Sequence, residues 1–74
     1  MNTKELFGKE VLDINANRIG KVSDIDFDLS QGVLNHIIVK SSLTRKYAVG
    51  LDKIEKIGDK LLLKITQDEL GKKS

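Results

Sequence analysis

Residues 18–40 read RIGKVSDIDFDLSQGVLNHIIVK, and the fold of the chain turns on this stretch. Two apolar-rich runs, 19–29 and 33–39, flank Ser30-Gln31-Gly32, whose turn chemistry joins antiparallel strands. Ile25, Phe27 and Leu29 share one parity of the first run, and Asp24, Asp26 and Asp28 hold the other. That is the period-two pattern of a half-buried strand, and it places Phe27 in the core. Val22 falls on the wrong parity. One extra residue near Ser23-Asp24, a β-bulge, returns Val22 and Ile25 to the same face.

Upstream of this hairpin, residues 11–14 (VLDI) form a short first strand. It closes on Asn15-Ala16-Asn17, where asparagine supplies a turn or left-handed position. Gly20, inside the second strand, marks a bend or the close approach of another backbone. The lead-in is polar apart from Leu6 and Phe7, one of which is expected to plug the end of a barrel, and Gly8 stops any helix that starts there.

Downstream, the third strand runs over 33–40 and the polar connector SSLTRK over 41–46. A fourth strand covers 46–51, with Tyr47, Val49 and Leu51 on one parity. Ile54 and Ile57 bracket a fifth, and Gly58-Asp59 reads as a two-residue turn with glycine at its first central position. The sixth strand spans 60–66, with Leu61, Leu63 and Ile65 inward and Leu62 outward. The domain therefore covers residues 1–66, and 67–74 is a polar tail, frayed or a short helical turn, in which Thr66-x-x-Glu69 resembles a capping box. There is no proline to demote a strand and no alternating helix. The reading is all-β: a small six-stranded antiparallel barrel, whose closure removes edge strands.

A chain of 74 residues makes one domain and buries only roughly 60% of its unfolded surface. Domains this small usually gain a disulfide, a metal or a partner chain. Cysteine is absent and His36 is the one histidine, so disulfides, thiol nucleophiles and multi-histidine sites are excluded and a homodimer is expected. No apolar run approaches the roughly 18 residues that span a bilayer, and MNTKELFGKEV lacks the apolar region of a secretory signal. Direct membrane insertion is not expected, and the protein is placed in the cytoplasm. The net charge of +2 comes from 13 basic and 11 acidic residues interspersed along the chain, which gives nucleic-acid binding little support.

No enzyme signature emerges, so no catalytic residue is assigned, nor any metal ligand or cofactor. Asp24-x-Asp26-x-Asp28 superficially opens a calcium loop, but Leu29 stands where that loop needs glycine and Asn35 where it needs glutamate. His36 could pair with Ser41 or Ser42 and an aspartate, yet no nucleophile elbow accompanies them. The glycines never gather into a phosphate-cradling loop before a helix. For nucleic acid, the one cluster of basic and aromatic residues is Arg45-Lys46-Tyr47, with Lys72-Lys73 a weaker second. The informative leftovers are Leu34, Ile38 and Leu62, which fall off the core face and are taken as an interaction face.

From Gly8 to Lys40 the chain resembles the opening of a PRC-barrel domain: a first short strand, a turn, Ile19-Gly20-Lys21-Val22, and an apolar–acidic strand ending in Asp28-x-x-x-Gly32. The second half is similar through Ile54–Ile57, Gly58-Asp59 and the strand 61–65. The resemblance covers residues 6–66 and looks most like the stand-alone archaeal forms. It implies a six-stranded barrel acting as an adaptor for protein contacts, including cell-division roles through a SepF-type partner. The family also includes the C-terminal half of a ribosome maturation factor, which makes an RNA- or ribosome-associated module the alternative.

Overall fold

The computed structural model describes residues 3–70. A single helical turn, α1 (Thr3–Leu6), leads into β1 (Glu10–Leu12), β2 (Arg18–Asp28), β3 (Val33–Lys40) and β4 (Lys46–Gly50). A 3-10 turn, Leu51–Lys53, then delivers the chain to β5 (Ile54–Ile57), β6 (Leu61–Leu63) and a last helical turn, α2 (Gln67–Leu70). The strands form one sheet in the order β4-β3-β2-β1-β6-β5.

Two parts of the expected architecture need correction. The sheet is mixed, because β1 and β6 run parallel, Val11 beside Leu61 and Leu12 beside Leu62. A parallel pair needs a crossover of a dozen or more residues, and everything from β2 to β5 supplies it. Nor is the barrel closed: β4 and β5 are the two edges, and only the 3-10 turn joins them. Lys64 N–H donates to the Lys53 carbonyl (2.7 Å), which ties that turn to the end of β6 without making a ladder.

The bulge stands where the parity change requires it. Val22 pairs with Val39 and Asp24 with Ile38, which leaves Ser23 as the extra residue. A second irregularity follows, because Asp26 pairs with His36 but Phe27 with Leu34, so Asn35 is the surplus residue of β3. The two bulges coil the long hairpin and aim Val22, Ile37 and Val39 at the core. Val11, Ile19, Val49, Leu61 and Leu63 complete that core, and Leu6 caps it from α1. Burying one leucine of this kind contributes about 1.5–3 kcal/mol. Leu6 is thus the plug, while Phe7 stays 46% exposed.

The first loop is built differently from the expectation. β1 stops at Leu12 because Asp13 leaves the ladder to accept hydrogen bonds, and Ile14 is turned out to solvent. The left-handed residue is Ala16 (φ 66°), while the asparagines on either side serve Asp13 instead. Alanine pays about 1 kcal/mol or more in this region, where glycine pays none. Ala16→Gly is therefore expected to stabilise the fold by about 0.5–1 kcal/mol, read as a rise in urea midpoint at constant m. The β5–β6 turn also differs, since Gly58 does not adopt a positive φ and its N–H donates to the Lys60 carbonyl (3.0 Å).

At the C-terminus, α2 is docked. Its capping box forms, with Thr66 N–H and Oγ1–H donating to Glu69 Oε1 and Glu69 N–H to Thr66 Oγ1. Leu70 and Ile65 pack against the core. The remainder of the expected tail, residues 71–74 with Lys72-Lys73, lies outside the described residues. Among the described residues no helix is long and apolar enough to cross a membrane.

Candidate functional site

The longest hairpin outruns the rest of the sheet. β1 covers β2 only from Arg18 to Lys21, and β4 covers β3 only from His36 to Lys40. Beyond Asp26 and His36 the two strands pair with each other alone, as a two-stranded arm. No third strand shields its apolar residues, so Phe27 is 49% exposed, Val33 44% and Leu29 91%. The expectation that Phe27 is buried is corrected here: its parity is right, but the core ends before it.

The tip of the arm is rigidly made. Asp28 Oδ1 accepts from Ser30 N–H (3.0 Å), Ser30 Oγ–H (2.7 Å) and Gln31 N–H (3.3 Å). The Ser30 hydroxyl, followed by the Gln31 amide, holds the Asp28 carboxyl below its ordinary range. Gly32, at φ 68°, closes the turn with its N–H on the Asp28 carbonyl (2.8 Å). Leu29 is displayed on a fixed turn rather than left on a loose loop. Partway along the outer face His36 Nδ1 lies 3.3 Å from Asp26 Oδ2, both groups open to solvent.

The other end of the same hairpin has the opposite character. Lys21 pairs with Lys40 across β2–β3, and Lys40 pairs with Lys46 across β3–β4. Directly opposed residues of antiparallel strands share a face, so the three lysines form one exposed row. Strand spacing makes that row about 10 Å long. Glu10 stands next in register beside Lys21, but its carboxylate binds Arg18 Nε (2.7 Å) and Lys60 Nζ. The Lys60 and Arg18 contacts hold the Glu10 carboxyl below its usual range. Among the described residues, none of Lys21, Lys40, Arg45 and Lys46 forms an ion pair.

A cleft of about 470 Å³ opens beside the row, lined by Arg18, Gly20, Lys21, Lys40 and the serines 41 and 42. The connector above it is tight: Ser41 N–H donates to the Arg45 carbonyl (3.0 Å), and Ser42 Oγ accepts from Arg45 N–H (3.2 Å). Charges that alternate along the sequence are thus sorted in space, with the acids of 24–28 toward the arm and the bases at the opposite end. The sequence reading that gave nucleic-acid binding little support rested on that interspersion and on the scarcity of exposed aromatics, and the first of these grounds falls away.

The residues expected to form one apolar face do not meet. Leu34 packs against the core, because the Asn35 bulge reverses its parity, which corrects its expected outward placement. Ile38 and Leu62 do point outward and are half-buried, but β2 and β1 lie between their strands. Leu62 instead neighbours Leu12 in a shallow cleft of about 280 Å³. Of the basic–aromatic cluster, Arg45 and Lys46 are exposed, whereas Tyr47 packs against the core and offers no stacking platform. Among the described residues no cluster of three or more His, Asp or Glu side chains is placed to hold a metal ion.

The model of the PRC-barrel domain family matches residues 1–70. No curated protein sequence matches the chain. Among solved structures it is similar to a protein described as the 16S ribosomal RNA processing protein RimM from Pseudomonas aeruginosa, with a TM-score of 0.71 and 17% identity. The match covers 92% of this chain and 45% of that one, so the chain spans less than half of its relative. At that identity the likeness is one of fold.

Proposed function

The chain belongs to the PRC-barrel domain family, and from that membership we propose that it is a non-enzymatic adaptor that docks a protein partner through the β2–β3 arm. One observation supports this reading above the others: Phe27, Leu29 and Val33 stand exposed on a turn braced by Asp28. Exposed apolar groups on a rigid support lose little freedom on binding, so more of their burial is realised as affinity. A photo-crosslinking side chain at Leu29 is expected to label one partner in native extract. A Leu29→Asp change beside it, with the crosslinker at Val33, should abolish that adduct while leaving stability within about 0.5 kcal/mol. Labelling that survives Leu29→Asp would count against the arm.

The narrower version, with a SepF-type division protein as partner, is tested by co-elution of the two purified proteins, and separate elution removes it. Homodimer formation through Ile38 or Leu62 is a separate proposal, tested by sedimentation equilibrium with Ile38→Lys and Leu62→Lys beside the parent chain. A second reading, an RNA- or ribosome-associated module, draws on the unpaired lysine row and on the fold shared with the RimM protein.

A further inference from the structure

We propose that Lys21, Lys40 and Lys46, with Arg45 at their end, form a binding site for the phosphodiester backbone of RNA. The proposal deepens the second reading above, from which the choice of RNA comes; the site itself rests on charge geometry. Like charges set directly opposite one another weaken a sheet. This chain does so twice in succession, Lys21 on Lys40 and Lys40 on Lys46. The acids that could relieve the repulsion are occupied. Glu10 is held by Arg18 and Lys60. Asp24, two register pairs away, turns Oδ1 onto its neighbour Ile25 N–H (2.8 Å) and forms no ion pair with the row.

The direction of the row selects the ligand. It crosses the strands, and β3 at its centre is hydrogen-bonded on both edges. A peptide therefore cannot add to the sheet there by main-chain pairing, whereas a phosphate chain needs only point charges along its path. The cleft beside the row is floored by Gly20, whose missing side chain makes room for the Lys40 carbonyl and so lets β2 and β3 approach closely beneath Lys21 and Lys40. Its serine hydroxyls add neutral donors of the kind that contact phosphate oxygens. With Tyr47 turned into the core, nothing in the site reads or stacks bases, so binding is expected to be indifferent to sequence.

The test is fluorescence anisotropy with a labelled short RNA duplex, using the full chain and three variants: Lys40→Gln, Lys21→Gln/Lys46→Gln, and Lys56→Gln as an equal charge change on β5. Neutralising three phosphates with the lysines predicts roughly a 40-fold loss of affinity between about 50 mM and 200 mM salt, and a fourth at Arg45 raises it to roughly 150-fold. Lys40→Gln should reduce the logarithmic salt slope by about one, and the double variant by about two, with Lys56→Gln leaving it unchanged. Equal losses in all variants would mean diffuse attraction to a basic protein and overturn the site. Tight binding that ignores the row variants overturns the site but leaves the RNA reading standing. An absence of binding at the lower salt removes both. Competition by polyglutamate as effective as by unlabelled RNA would reassign the row to an acidic protein and overturn the proposal.

Discussion

Gly20→Ala is expected to cost about 3 kcal/mol and to lower the melting temperature by roughly 15 °C. A β-carbon at this position would stand 2.2 Å from the Lys40 carbonyl oxygen and 2.8 Å from its carbon. Both are backbone atoms, so no side chain can swing aside. Relief requires β2 and β3 to part at the Lys21–Lys40 end of their ladder, just before the Ser23 bulge. Gly20 is also paired with Val11 on its other side, so the strand cannot simply shift toward β1. Gly58→Ala is the control. Nothing lies within 4 Å of its would-be β-carbon, and its φ is ordinary, so a change of less than about 0.5 kcal/mol is expected. If the two variants melt together, the close approach at Gly20 is not a constraint on the fold. Because Gly20 floors the cleft beside the lysine row, the packing that demands glycine also shapes the proposed RNA site.

The core was legible where alternation and burial coincide. Val22, Ile37, Val39, Leu61 and Leu63 occupy the faces their parities assign, and the Ser23 bulge could be located because two apolar sets had to be brought into phase. Parity says which face a residue takes, but not whether the core extends that far. Phe27 and Leu29 have core parity and stand in solvent because β1 and β4 are too short to cover the arm. A polar surplus residue such as Asn35 leaves no apolar phase shift to detect, and so Leu34 was placed on the wrong face. The lysine row was hidden for a different reason. Lys21, Lys40 and Lys46 are distant in sequence, and only the register of three strands sets them side by side. Asp13 escaped notice as well. In VLDI it looks like an outward residue of a strand, and its partner Gln67 lies 54 positions away.

That aspartate carries the second large effect. Asp13 is 2% exposed, yet both carboxylate oxygens are fully engaged. Oδ1 accepts from the backbone N–H of Asn15 (2.9 Å) and Asn17 (2.8 Å), while Oδ2 accepts from Gln67 N–H (2.9 Å) and the Asn17 amide (3.3 Å). One side chain thereby pins the first loop to the opening of α2, which in turn seats Leu70 against the core. Desolvation pushes the carboxyl up, but the amides of Asn17, Gln67 and Asn15 together outweigh it and hold it below its ordinary 3.8. With the folded value depressed, the unfolded chain binds more protons on acidification, so stability rises with pH. The contribution of Asp13 is complete above the unfolded value and is lost as pH falls through the folded one. Asp13→Asn turns a donor toward donors and strands buried N–H groups, and the melting temperature at neutral pH should fall by roughly 10 °C or more. The gap between parent and variant should then narrow as pH falls below the ordinary 3.8 and through the lower folded value, where the parent's carboxylate protonates. Glu10 and Asp28 are depressed in the same sense but are present in both proteins, so the difference isolates Asp13. A gap that stays constant down to the acid limit would assign the loss to shape alone, and an Asp13→Asn protein as stable as the parent at neutral pH would remove the brace altogether.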